Sequence, residues 1–104
     1  MHRSAFTMKL TRGFEAEYKR RHDEIWPDLS QLLAQDGIKE YYIFLDEATG
    51  VLFAFMKREP SGLTTPLSDH PVMKKWWQYM KDIMETNEDG SPVTQSLVEV
   101  FEMH

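Results

Sequence analysis

The strand expected over residues 51–57 is apolar in both registers as far as Met56, and no other stretch constrains the fold so tightly. Val51, Phe53 and Phe55 fall on one side of an extended chain and Leu52, Ala54 and Met56 on the other, because successive strand side chains point to opposite faces. Such a strand needs cover on both sides. Residues 41–46 are a second β-branched and aromatic run. Glu47-Ala48-Thr49-Gly50 joins the two as a hairpin turn in which Gly50 is free to take positive φ. The two runs are expected to pair antiparallel.

Residues 3–10 alternate, with Phe6, Met8 and Leu10 set against Thr7 and Lys9, and read as a strand. Thr11 then offers a helix cap. Phe14, Tyr18, His22, Ile25, Leu29, Leu32 and Leu33 recur at helical spacing, but Pro27 cannot donate the bond a continuous helix needs. Two helical pieces should meet near Trp26, the second opening with Pro27 and stopping at Gly37. After a loop over residues 60–66, Ser68 or Asp69 can cap a helix with Pro71 near its start that runs to about Met84. Residues 87–92 are a second loop, and a last strand is expected over 96–103. The order β-α-β-β-α-β with a broken first helix is that of an α+β ferredoxin-like sandwich, an antiparallel sheet with its helices on one face. A homodimer closing sheet against sheet, as in dimeric α/β barrels, is the simplest cover for the other face.

A chain of 104 residues fits one domain over 1–104. Twelve Lys and Arg against seventeen Asp and Glu give a net charge of −5, which argues against nucleic acid as a partner. Zero cysteines exclude a disulfide framework, thiol catalysis and cysteine-ligated zinc. The N-terminal residues lack the apolar block of a signal peptide and no run approaches membrane-spanning length, so a cytoplasmic protein without membrane contact is expected.

Tyr18 and His22, four residues apart on one helical face, lie about 5 to 6 Å apart at Cβ and can act on one ligand. An imidazole with an ordinary pKa of about 6.5 can give and take protons near neutrality. A core histidine bonded to a carbonyl would read the same way, and spacing alone favours that outcome. Trp76 and Trp77 belong to an apolar stripe with Val72, Met73, Met80, Ile83 and Met84. Consecutive helical residues diverge by about 100°, so one Trp is expected in the core and one on a pocket wall, where a flat ring can cover the C–H face of a sugar. Tyr41 and Tyr42 must face opposite sides of the sheet. Lys19-Arg20-Arg21 reads as a solvated helix surface. His2, His70 and His104 have no ligand spacing, and no metal site is expected.

Glu17-Tyr18-Lys19-Arg20-Arg21-His22, then Ile25-Trp26-Pro27, then Trp76-Trp77-Gln78-Tyr79-Met80, and residues 87–93 before a final strand together resemble the L-rhamnose mutarotase family over nearly the whole chain. The resemblance implies a dimer that interconverts the α and β anomers of L-rhamnose without cofactor or metal. It also implies that His22 is the proton donor and that Tyr18, Tyr41, Trp76 and Trp77 bind the sugar. On this reading protonated His22 donates to the ring oxygen while Tyr18 or a water handles the hydroxyl proton. Residues 58–71 depart from the family's pattern, being rich in Pro and Thr where it usually carries a more acidic helical start with a further Trp. The competing readings are a small cofactor-free or haem-binding monooxygenase of the same fold, and a non-catalytic sugar-binding dimeric module.

Overall fold

A computed structural model of the chain describes residues 2–104. Its elements are β1 (His2–Lys9), α1 (Glu15–Asp23), α2 (Pro27–Gln35), β2 (Ile38–Asp46), β3 (Val51–Arg58), a 3-10 turn (Leu67–Asp69), α3 (Pro71–Met80) and β4 (Gln95–Leu97). The strands form one antiparallel sheet in the order β2-β3-β1-β4, the expected ferredoxin-like topology. No helix among the described residues is long and apolar enough to cross a membrane.

The first helix is broken where Pro27 requires it. Trp26, the residue before the proline, is extended at φ −62° and ψ 132°, since the proline ring disfavours helical backbone there. The β2–β3 hairpin closes on Asp46, whose carboxylate accepts from the Ala48 N–H at 3.1 Å and the Thr49 hydroxyl at 2.9 Å, and Gly50 follows at φ 77°. Side-chain bonding of this kind lets an Asp direct a tight turn.

Cross-strand register sorts the two apolar faces of β3. Leu52 and Ala54 lie opposite Met8 and Phe6 of β1, and opposite Leu45 and Ile43 of β2. They meet Leu29, Leu32, Met73, Trp76, Met80 and Ile83 in the core under the helices. Phe53 and Phe55 lie opposite Phe44 and Tyr42 on the other face. There Phe44 is 62% exposed, Tyr42 54% and Phe55 44%.

Three elements differ at their ends from the sequence-based expectations. Thr11 does not cap α1; Phe14 is the flanking residue, tied back by its N–H to the Thr11 carbonyl. Helix α3 is preceded by His70, not capped by Ser68 or Asp69, and it ends at Met80, not Met84. Ile83 and Met84 are buried, as the stripe requires, yet their backbone is drawn into pairing with the end of β1. Thr11 N–H bonds the Ile83 carbonyl at 2.8 Å, Glu85 N–H bonds the Lys9 carbonyl at 3.0 Å, and Leu10 bridges Met84. Tertiary pairing overrides helical periodicity there. The last strand covers only Gln95–Leu97, paired with Ala5, Phe6 and Thr7, and not 96–103. Val98, Val100, Phe101 and Met103 are exposed, because within one chain their alternation has no surface to pack on.

Gly37 ends α2 at φ 93°, and a Cβ added there would sit 2.3 Å from the Glu59 carbonyl oxygen. Gly37→Ala therefore combines left-handed strain with a backbone clash, and is expected to cost more than about 1 kcal/mol of stability. Urea unfolding checks this, and an unchanged midpoint would contradict it.

Candidate active site

His22 sits in the last turn of α1, with its ring Nδ1 3.0 Å from the backbone carbonyl of Tyr18. A carbonyl only accepts, so Nδ1 carries the hydrogen and Nε2 is left with the lone pair in the neutral ring. The imidazole stacks on the Tyr18 ring at 4.2 Å and meets the Trp76 ring edge-on at 5.4 Å. Burial pushes its pKa below the ordinary value, opposed by the bond to the Tyr18 carbonyl and then by the nearby Asp23 carboxylate. Burial therefore favours the uncharged ring, with Nε2 as the nitrogen left available.

Trp76 is 6% exposed and in the core, while Trp77 is half-buried. Both line an open cavity of about 1060 Å³ between the sheet and the helices, together with Tyr18, His22 and Tyr41. The same five residues line a smaller recess of about 80 Å³. Tyr41 faces this side of the sheet and Tyr42 the other, as strand alternation demands. Burial raises the Tyr18 phenol above its ordinary pKa, with Tyr41 adding to it, and pushes Tyr41 up to about 12. Both hydroxyls therefore stay protonated at neutral pH. Among the described residues, no three of His, Asp and Glu come together in a group that could hold a metal ion.

Two aromatic residues behind the site escaped sequence reasoning. Trp26 meets Trp76 edge-on at 5.1 Å and stacks with Tyr79 at 5.5 Å, and Tyr79 tilts against Trp76 at 5.7 Å. The sequence marked Trp26 only by its place beside Pro27 and in the Ile25-Trp26-Pro27 motif, with no role in the site. The expectation that Lys19-Arg20-Arg21 is solvated holds for the first two residues and fails for Arg21, which is 9% exposed. Its guanidinium bonds Glu17 and Asp82 and lies 4.4 Å over the Tyr79 ring. The Glu17 carboxyl is held down to about 2 by Arg20 and then Arg21. Residues 58–71 contribute Leu67 to the cavity wall and pack Leu63 on the core.

The model of the L-rhamnose mutarotase family matches residues 3–103. The chain belongs to the L-rhamnose mutarotase family. L-rhamnose mutarotase of Flavobacterium johnsoniae is 57% identical over 97% of this chain and 94% of its own length. That of Brucella anthropi is 56% identical over 97% and 95%. The crystal structure of L-rhamnose mutarotase from Formosa agariphila, 48% identical, covers all of both chains with a TM-score of 0.94. A Mycobacterium tuberculosis protein at 11% identity and a TM-score of 0.58, covering 98% of this chain and 97% of its own, shares the fold alone.

Proposed function

We propose that this chain is an isomerase that interconverts the α and β anomers of L-rhamnose by opening and closing the sugar ring, with His22 as the proton-exchanging group. The observation that carries the assignment to His22 is its hydrogen-bonded geometry. With Nδ1–H committed to the Tyr18 carbonyl, Nε2 is the one position that can exchange a proton with a ligand in the cavity.

Anomer exchange then needs a single shuttle. Nε2 takes the proton of the anomeric hydroxyl, the bond from the anomeric carbon to the ring oxygen breaks, and the pair of that bond goes to the ring oxygen. The resulting imidazolium, made more acidic by burial, returns the proton to the ring oxygen and leaves an open-chain aldehyde. Both oxygens are bonded to the same carbon, so one nitrogen serves them in turn. Rotation about C1–C2 and the reverse transfers close the other face. Trp77 supplies stacking surface for the ring and its methyl group, with Trp76 as the packed wall behind it, and Tyr18 and Tyr41 supply phenol hydroxyls for the sugar.

Saturation-transfer NMR on L-rhamnose, L-fucose and L-mannose tests the activity. Exchange of L-rhamnose anomers should accelerate most. Binding without faster exchange would support a non-catalytic module instead, and oxygen consumption a monooxygenase.

We also propose a homodimer formed through the outer sheet face, where Tyr42, Phe44, Phe55 and Leu97 lie exposed side by side and would leave a large apolar patch in a monomer. Light scattering should give roughly twice the 12.3 kDa chain mass, and Phe44→Lys should shift it toward the monomer. A parent that is monomeric at micromolar concentration refutes this. A cytoplasmic setting belongs to the same proposal and is supported by a chain without cysteine.

A further inference from the structure

We propose that Arg21 is a positioning residue for proton exchange at His22, holding α1 at a fixed spacing from the C-terminal end of α3; this rests on the anomer-exchange reading above. Arg21 precedes His22 by one residue, so the pairs Glu17–Arg21 and Tyr18–His22 run down α1 on faces about 100° apart. One pair faces the cavity and the other binds the neighbouring helix.

The guanidinium is satisfied in a way that fixes its orientation. Nε donates to Glu17 at 2.7 Å, Nη1 and Nη2 fork onto the two oxygens of Asp82 at 2.9 and 3.2 Å, and Nη1 also donates to the Tyr79 carbonyl at 2.8 Å. That carbonyl lies in the last turn of α3, where helical partners run out, so Arg21 closes the end of α3 as well as bracing it. A bidentate carboxylate pair fixes angle as well as distance. The chain from there to the site is short. The guanidinium covers the Tyr79 ring, Tyr79 and Trp26 pack on Trp76, and Trp76 meets the His22 imidazole edge-on.

Stability alone is a weak reason for a charge in this position, since a well-packed apolar side chain is often as good as a buried ion pair. Geometry is the stronger reason, because a displacement of about 1 Å at a reacting group can cost about 100-fold in rate. Loosening the α1–α3 spacing would also bring more water around the partly buried His22 ring. Tyr18 and Tyr41 share the recess with His22 and the Asp23 carboxylate lies near it, while Glu15, Lys19, Lys39, Glu40 and Glu47 also line the wider cavity. The hydrogen bonds of Arg21 go to Glu17, Asp82 and the Tyr79 carbonyl and to none of these.

The test uses the full chain with Arg21→Met, Arg21→Lys and Asp82→Ala. L-rhamnose exchange gives kcat and KM, and NMR follows titration of the His22 ring. Arg21→Met should lower kcat about tenfold to 100-fold with KM changed less than about threefold, and raise the His22 midpoint toward about 6.5. Arg21→Lys should recover part of both, and Asp82→Ala should move both the same way by less. A folded Arg21→Met variant with parental kcat and an unmoved His22 titration overturns the proposal. If Arg21→Met does not fold, Asp82→Ala decides, since that carboxylate is largely exposed, and parental values there overturn it equally. If the parent itself fails to accelerate exchange, the functional reading falls and the His22 titration alone judges Arg21.

Discussion

His22→Gln is expected to slow L-rhamnose anomer exchange by about two orders of magnitude while sugar binding falls much less. Glutamine keeps a hydrogen-bonding side chain on the cavity wall but cannot accept and return a proton near neutral pH, and general acid–base catalysis by one group contributes about 10² to 10⁴ in rate. The parent should also carry a signature the variant lacks. Exchange begins with the neutral ring, so it should decline as pH falls through the His22 pKa. Burial places that midpoint below the ordinary value of about 6.5. The decline lies on the acid side because a ring already protonated at Nε2 cannot take the anomeric proton. Saturation transfer from pH 5 to 8 on both proteins checks it. A His22→Gln variant as fast as the parent at each pH would return His22 to a packing role.

Local rules reached most of this fold. Pro27 broke the first helix, Glu47 to Gly50 closed the hairpin, and the two faces of Val51–Arg58 separated into a core side and an uncovered side. Each depends on neighbours in sequence or on strand alternation. What escaped depends on contacts between distant residues. Ile83 and Met84 carry the apolar pattern of a helix, but the end of β1 offers their backbone a better partner. Arg21 reads as solvated in a basic run because nothing nearby reveals that Asp82 and the Tyr79 carbonyl will meet it 58 to 61 residues on. His22 was ambiguous for the same reason. A bond to the Tyr18 carbonyl was the feature expected of an inert core histidine, and the structure has that bond. Its opening onto the same cavity as Tyr41 and Trp77 comes from the sheet and α3, beyond the reach of spacing within α1.

The two adjacent tryptophans should part company under substitution. Trp76 is almost fully buried and packs against His22, Trp26 and Tyr79 at once. Trp76→Ala therefore removes a core side chain, and should cost about 3 to 5 kcal/mol in unfolding free energy. Against a total stability of about 5 to 15 kcal/mol for an ordinary domain, that leaves a protein near its folding threshold. The loss of activity would then follow largely from lost structure. Trp77 lies about 100° further round the helix, half-buried, and lines the cavity outside the ring cluster of His22, Trp26, Trp76 and Tyr79. Trp77→Ala should melt close to the parent yet bind L-rhamnose more weakly, because the ring face available to the sugar is gone while the core beneath it is intact. Thermal melts and a sugar titration on both variants separate the two roles. Equal melting temperatures would contradict the division of core and wall between the two rings, and a Trp77→Ala variant with parental affinity would mean that the half-buried ring is not part of the sugar's wall and that the binding surface must be sought on the Tyr41 side of the cavity.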